Sequence, residues 1–236
     1  MSKTEEQGEE LPTLVDSTLM RDLPSTPRGL RTRASLVAAA RIVFERDGFI
    51  DSRLTDITKE AQCSTGTFYT YFDSKEEALA AVLQEAQDDM LHPGPPQEHH
   101  ENRNVVESLD AGNRAYVEAY KRNAKLMLLL EQVAAIDPKF RRLRLNRGQA
   151  FAKRNCKWVK KLQDEGFADP SLDPVMSASA LSLMVGRMAY YKYALEEPGW
   201  GTDDLLVETA TKLWVNALGI PADGSPRGSK APSIRH

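Results

Sequence analysis

The sequence predicts an all-α protein with a small N-terminal three-helix domain and a larger helical domain. Two observations predict this class: Ala and Leu are abundant while runs of β-branched residues are scarce, and apolar residues recur at the spacing of helices that face a core. A chain of 236 residues is long enough for one domain of about 50 residues and one of about 130. The pattern shows no internal repeat.

Cap and breaker signals divide the chain into nine predicted helices. Pro and Gly clusters interrupt the apolar pattern after Leu91, before Pro174 and after Leu195, because these residues end helices. The predicted helices span residues 30–47, 54–61, 65–72, 74–91, 105–123, 125–135, 138–165, 174–195 and 202–218.

Both ends of the chain have the composition of disordered tails. Residues 1–27 are acidic and rich in Pro, Ser and Thr, and residues 221–236 are rich in Gly, Pro and Ser. Between the tails we place one domain at residues 28–75 and a second at residues 76–220.

Residues 54–79, LTDITKEAQCSTGTFYTYFDSKEEAL, predict two short helices, a tight turn between them, and a third helix. Thr55 is the expected N-cap of the first helix, and Ile57 lies on its inward face. The apolar period then breaks, and Ser64 or Thr65 can cap the second helix.

The second of these helices carries hydroxyl groups on its outer surface. Phe68 and Phe72 are four residues apart and should face inward. The remaining surface consists of Thr65, Gly66, Thr67, Tyr69, Thr70 and Tyr71. Thr and Tyr hydroxyls bond phosphate oxygens, and a helix-turn-helix places its second helix in the DNA major groove. The motif therefore predicts a reader of double-stranded DNA.

Residues 28–85, about a quarter of the chain, resemble the tetracycline-repressor (TetR) family of bacterial transcription regulators. The residues that carry the resemblance are Phe44, Gly48 and Phe49, then Thr55, Ile57 and Ala61, then Ser64, Thr67, Phe68, Tyr69, Tyr71 and Phe72, and finally Ser74, Lys75, Glu76 and Leu79. Two positions depart from the family pattern, because Cys63 replaces an aliphatic residue and Tyr71 stands where His is common.

The resemblance implies DNA-contacting roles for named residues. At the start of the reading helix, it implies base-edge or nearby contacts for Thr65, Gly66, Thr67 and Thr70, and Ser64 is a further candidate DNA-binding residue. It implies phosphate contacts for Thr55, Tyr69, Tyr71 and Lys75. The family's fold further implies a helical ligand-binding and dimerisation domain.

The formal net charge of −3 argues against nonspecific nucleic-acid binding, which needs clustered cations. The distribution of charge favours DNA binding more than the net charge does, because Arg28, Arg31 and Arg33 form a basic arm that leads into the first helix. Such an arm can follow the phosphate backbone or a groove of DNA. The alternative is that these arginines are simply solvated at the start of a helix.

The last two long helices have apolar faces wider than a monomer core requires. The apolar face of the first of these helices includes Met176, Leu181 and Leu195. The apolar face of the second includes Leu213 and Trp214. The pattern fits a monomer core and a homodimer interface equally, and the resemblance favours the dimer. A two-fold dimer would place its reading helices about 34–36 Å apart, or a multiple of it, and select a palindromic operator.

The middle helices carry stripes of Met and aromatic residues, which are more often plain core than the wall of a binding pocket. It is the resemblance that implies a pocket for a hydrophobic small molecule in this domain. Ten Lys or Arg residues and no acidic residue lie between residues 139 and 161. These cations either form a solvated helix face or include arginines that bind the anionic head group of a ligand. The candidate ligand-binding residues are Met127, Arg147, Phe151, Arg154, Trp158, Met184, Arg187, Met188 and Tyr190.

Other functional classes find little support. The two cysteines imply no disulfide framework and fit the cytoplasm, and no apolar run approaches the ~20 residues of a membrane span. No catalytic residues, metal site or cofactor are expected, because zinc spacing, phosphate loops and nucleophile elbows are missing from the sequence. The sequence predicts a repressor released by its ligand, and the alternative is a helical ligand-binding or scaffold protein without specific DNA binding.

Overall fold

The computed structural model describes residues 22–92 and 104–227, and these ranges contain helices and no strand. The all-α prediction is confirmed. The helices are α1 Pro27–Asp51, α2 Leu54–Glu60, α3 Thr65–Tyr71, α4 Lys75–Leu91, α5 Val105–Arg122, α6 Ala124–Ile136, α7 Pro138–Asp164, α8 Pro174–Ala189 and α9 Asp203–Leu218. None of these helices is both long and apolar enough to cross a membrane.

Side-chain caps start most of the helices. In α1 the hydroxyl of Thr26 accepts a hydrogen bond from the Gly29 amide at 3.1 Å, and Pro27 occupies the first turn. The same arrangement of an accepting N-cap side chain begins α3 at Ser64, α4 at Ser74, α5 at Asn104, α7 at Asp137, α8 at Asp173 and α9 at Thr202. Helix α1 therefore begins three residues before its predicted start, inside the segment predicted as a tail.

Helix α2 starts differently from the sequence prediction. Its N-cap is Arg53, and the Asp56 carboxylate accepts a hydrogen bond from the Arg53 amide at 3.1 Å. Thr55 lies inside the first turn with an exposed side chain, so the expected Thr55 cap is wrong. An acidic side chain that reaches back to the N-cap amide satisfies that donor without a hydroxyl cap.

Part of the predicted C-terminal tail packs onto the larger domain. The Arg227 amide donates to the Gly166 carbonyl at 2.8 Å, and its guanidinium donates to the Gly219 carbonyl at 2.7 Å. Residues 221–227 therefore cover the end of α9. The remaining parts of the two predicted tails, residues 1–21 and 228–236, lie outside the described residues, and the domain boundary at residue 75 stays a prediction.

Gly48 interrupts α1 and turns the chain back. Its φ of 76° and ψ of 175° fall in a region that only glycine occupies readily. The turn brings the ring of Phe49 to 5.7 Å from that of Phe44 and 6.3 Å from that of Phe140 in α7. The regular part of α1 therefore stops where the sequence predicted, and Phe49 joins the end of α1 to the larger domain.

The two domains share one hydrophobic core. Buried residues of α1, α3 and α4 pack in a single cluster with buried residues of α6 and the first half of α7. A second cluster joins α7, α8 and α9 around Trp214 and Val159. Helix α4 is buried along most of its length because it packs against both α1 and the larger domain.

Helix α8 ends in a π-helical segment, Tyr190–Ala194, in which the Leu195 amide donates to the Tyr190 carbonyl at 3.0 Å. An aromatic contact joins this segment to the turn that follows, since the ring of Tyr191 stacks on that of Trp200 with centroids 5.7 Å apart. The predicted helix to Leu195 is thus present, with its last turn widened.

We predict that Gly48→Ala lowers the free energy of unfolding by about 1–3 kcal/mol, because alanine must adopt the positive φ at this turn. Urea denaturation monitored by circular dichroism measures the change. Gly148→Ala is the matched control: Gly148 is helical, and a Cβ there meets no atom within 4 Å. The control should be neutral or stabilising by up to about 1 kcal/mol. Equal losses in both variants would contradict the prediction.

Candidate nucleic-acid interface

The turn between α2 and α3 is closed by backbone hydrogen bonds. The Gln62 amide donates to the Lys59 carbonyl at 3.1 Å, and the Cys63 amide donates to the Thr58 carbonyl at 2.9 Å. This pair of bonds is a Schellman motif with Gln62 in the left-handed position, at a φ of 52°. The motif ends with an apolar residue packed on the core, which Cys63 supplies. Cysteine therefore suits the position where the resembling family has an aliphatic residue.

Helix α3 buries one face and presents the other. Phe68 and Phe72 are fully buried, as their spacing predicted, with ring centroids 5.5 Å apart. The Ser64 hydroxyl caps the helix by accepting from the Thr67 amide at 3.1 Å. The outward residues that are exposed are Thr65, Gly66, Tyr69 and Thr70, while Thr67 and Tyr71 are half-buried. The predicted reading face is therefore on the outer surface of the domain.

Not every hydroxyl of this face is directed outward. The Thr70 hydroxyl donates to the Gly66 carbonyl at 3.1 Å, and the hydroxyls of Ser64 and Thr67 share a hydrogen bond of 3.0 Å. Tyr71 packs against the core. Tyr69 is 52% exposed and lies edge-on to Phe68. Thr65, Gly66 and Tyr69 thus form the most accessible part of the predicted face.

The Lys75 ammonium is directed towards the end of α1 in this structure, and its phosphate contact stays a prediction. Its ammonium donates to the Phe49 carbonyl at 2.6 Å and to the Ser52 carbonyl at 2.8 Å, and it lies 4.4 Å from the centroid of the Phe49 ring. These carbonyls belong to the end of α1, where backbone acceptors lack helical partners. Lys75 therefore fastens α4 to α1.

The basic arm separates into two parts. Arg28 and Arg31 are exposed on the first turns of α1, where they can face a phosphate backbone. Arg33 is half-buried, and its guanidinium lies 5.1 Å from the centroid of the Phe72 ring. Burial lowers the pKa of Arg33, with Glu85 acting in the opposite direction. Arg33 therefore packs within the domain, and only Arg28 and Arg31 keep the predicted position.

The predicted DNA contacts did not include Arg53, one of the exposed cations of the helix-turn-helix region. Arg53 directly precedes α2, and its side chain is exposed beside the exposed Thr55. Arginine is a preferred side chain for phosphate oxygens. The signal was available in the sequence, because a basic residue just before the first helix of a helix-turn-helix lies at the start of an element that crosses the DNA backbone.

The structure divides the predicted ligand-binding residues between two clusters. Met127, Phe151 and Tyr190 belong to or pack on the core shared with α4, and Arg147 and Arg154 stack on Phe151. Trp158, Met184 and Met188 pack instead on the second cluster. Arg187 is exposed on α8 and stacks on Tyr190 and Tyr191. The nine residues are therefore distributed over two adjoining clusters, both of which contact Tyr116, and their role in ligand binding stays a prediction.

No group of three His, Cys, Asp or Glu side chains within residues 22–92 and 104–227 is arranged to hold a metal ion.

The arrangement of α1–α3 defines a helix-turn-helix protein of the DNA-binding class, with a larger helical domain attached through α4.

Known helix-turn-helix regulators are similar to this chain. Residues 36–82 match the family described as bacterial regulatory proteins, tetR family. The chain is 25% identical over 209 residues to the HTH-type transcriptional regulator EthR of Mycolicibacterium smegmatis, covering 82% of this chain and 92% of that protein. Both matches support the resemblance to TetR-family transcriptional regulators that the motif residues indicated.

Solved structures share the fold. The SmeT–triclosan complex aligns with a TM-score of 0.69 and 18% identity, covering 86% of this chain and 98% of that chain. Salmonella enterica GusR aligns with a TM-score of 0.66 and 21% identity, covering 84% and 100% respectively.

We predict that Lys75→Met lowers the free energy of unfolding by about 1.5–3 kcal/mol in the absence of DNA, because it removes charged hydrogen bonds to two carbonyls. Methionine keeps an apolar stem of similar length against Phe49. Chemical denaturation measures the loss. Lys59→Met, at an exposed lysine on α2, is the control and should change stability by less than about 0.5 kcal/mol. A Lys75→Met protein as stable as wild type would show that the contact is dispensable.

Proposed function

We propose that this protein is a transcriptional repressor that binds a palindromic operator as a homodimer and is released by a hydrophobic small molecule. The observation that carries the DNA-binding part is the outer face of α3, where Thr65, Gly66 and Tyr69 are exposed above a buried Phe68. Small and hydroxyl-bearing side chains permit close approach to base edges and phosphates. Arg28, Arg31 and Arg53 supply exposed positive charge for the backbone.

The DNA-binding part is tested by filling the reading face. Gly66 is exposed within α3, and a Cβ there meets only the Ser64 hydroxyl, at 3.7 Å. We predict that Gly66→Leu weakens binding to the DNA flanking the protein's own gene by at least about tenfold, because the larger side chain prevents close groove contact. Fluorescence anisotropy measures the affinity.

Gly112→Leu is the matched control, since Gly112 is an exposed helical glycine of α5 with nothing near its Cβ position. Both variants should keep the wild-type melting temperature, and the control should keep the wild-type affinity. If wild type shows no palindrome-dependent binding, the chain acts instead as a helical ligand-binding or scaffold protein. If Gly66→Leu binds as wild type does, another surface reads the DNA.

The homodimer is supported by apolar side chains that α8 and α9 leave exposed. Met176 is 70% exposed and Leu183 is 68% exposed, and they lie two turns apart on one side of α8. Leu205 and Leu213 are exposed at a similar spacing on α9. Leu181 and Trp214 of the same helices face the core instead. The wide apolar faces thus divide between a core and a surface suited to a second copy.

We predict that Leu183→Glu converts the protein to a monomer at micromolar concentration, because the single interface of a two-fold dimer would bury two copies of the new carboxylate. Light scattering coupled to size exclusion gives the mass. Leu145→Glu, at a leucine of α7 that is 53% exposed, is the control and should stay dimeric. A wild-type monomer, or a dimeric Leu183→Glu protein, would count against this interface.

The release mechanism follows from the position of α4, which packs on α1 and on the larger domain. A ligand favours release only if it binds the DNA-free arrangement more tightly than the DNA-bound one. The related fold of SmeT was solved with triclosan bound, which supports a hydrophobic effector for this domain architecture. We place the protein in the cytoplasm, where its operator and its two reduced cysteines would be found.

A further inference from the structure

Two arginines of α7 lie on one face of the helix and stack on the same aromatic ring. Arg147, Phe151 and Arg154 follow the four- and three-residue spacing of a single helix face. The guanidinium carbons of Arg147 and Arg154 are 5.4 Å and 5.1 Å from the centroid of the Phe151 ring. Their placement is thereby fixed by packing, which distinguishes them from the mobile cations of a solvated face.

Neither arginine forms an ion pair with a carboxylate of the described residues. Arg154 donates to the Leu91 carbonyl at 2.8 Å, and the Arg147 guanidinium contacts the sulfur of Met90 at 3.5 Å, with its Nε buried and lacking an acceptor in the described part of the chain. Other cations of α7 do pair, since Arg144 lies 3.4 Å from Glu131. Half-buried charges without a counter-ion are costly, and burial lowers the pKa of Arg154.

Two further polar side chains lie on the helices next to the pair, Gln87 on α4 and Tyr120 on α5. Gln87 is 1% exposed, and both atoms of its side-chain amide lack a hydrogen-bond partner among the described residues. It shares one face of α4 with Met90 and Leu91, which contact the arginines. Tyr120 lies 5.9 Å from the Arg147 guanidinium, and burial raises the pKa of its hydroxyl well above the usual range. The hydroxyl therefore stays protonated and can donate.

We propose that this cluster, formed by Gln87, Tyr120, Arg147, Phe151 and Arg154, binds the oxyanion head group of an amphipathic ligand. A carboxylate or a phosphate monoester would supply the counter-charge that both guanidiniums lack and the acceptor that Arg147 Nε lacks. The apolar body of the ligand would lie against Met90 and the neighbouring core side chains. An uncharged alcohol of the same length would leave both charges uncompensated.

The position of the cluster would couple this ligand to α4. The Leu91 carbonyl, which accepts from Arg154, belongs to the last residue of α4. An oxyanion that binds Arg154 competes with this carbonyl and so alters the contact that holds the end of α4 to α7. Only this consequence for DNA release rests on the proposed function; the binding site itself does not.

The test measures head-group preference on purified protein without DNA. Isothermal titration calorimetry with dodecanoate, dodecyl phosphate, dodecanol and inorganic phosphate separates the charge from the apolar chain. We expect at least one of the two charged alkyl compounds to bind about tenfold or more tightly than dodecanol, the range expected for charged hydrogen bonds. Inorganic phosphate alone should bind weakly. Equal binding of dodecanol and both anions, or binding of inorganic phosphate with no gain from the alkyl chain, would overturn the proposal.

In the double variant Arg147→Gln/Arg154→Gln, the charged alkyl compound and dodecanol should bind with nearly equal affinity. Lys160→Gln, at an exposed cation of the same helix, is the matched control and should keep the wild-type preference. Retained preference in the double variant would place the anion elsewhere. The wild-type head-group comparison decides the matter if the double variant fails to fold. Loss of DNA binding in the reading-face experiment would leave these titrations unaffected, so the two proposals fail separately.

Discussion

The hydrogen bonds from the Lys75 ammonium to the carbonyls of Phe49 and Ser52 are the constraint on which the rest of the structure depends. Gly48 first turns the backbone at the end of α1, and Lys75 then fastens that end to the first residue of α4. The two short helices between α1 and α4 are thereby enclosed in a loop with fixed ends. Helix α4 consequently leaves the DNA-reading domain in a defined direction.

The same junction makes the two domains mechanically continuous. Phe49 packs near Phe140 of α7, and the buried face of α4 extends the core of α1 into the larger domain. Close-packed cores do not absorb a displacement locally, so a shift of α7 or of the end of α4 must be accommodated at the next contact. The arginine pair at Leu91 lies at the far end of α4 from the Lys75 contact. One helix therefore connects the place where a ligand would act to the place where DNA would be read.

Much of the fold was predictable because its signals are local. Thr26, Ser64 and Ser74 bond to amides within three residues, and the burial of Phe68 and Phe72 follows from helical spacing. The exposure of Thr65, Gly66 and Tyr69 on the opposite side of α3 was predictable for the same reason. The roles of Lys75 and Arg33 were not, since a long side chain can reach groups far away in the sequence. Lys75 bonds to carbonyls 26 and 23 residues away, and Arg33 stacks on Phe72.

The sequence by itself determined the number and type of helices, the helix-turn-helix face and the run of cations on α7, because helix periodicity and caps depend on neighbouring residues. Only the tertiary structure decided which cations are engaged. Of the ten in the run, Arg144 lies beside Glu131, whereas Arg147 and Arg154 stack on Phe151 without a described counter-ion. The physical reason is that the cost of a charge depends on burial and on partners from other helices, and neither is encoded in local spacing.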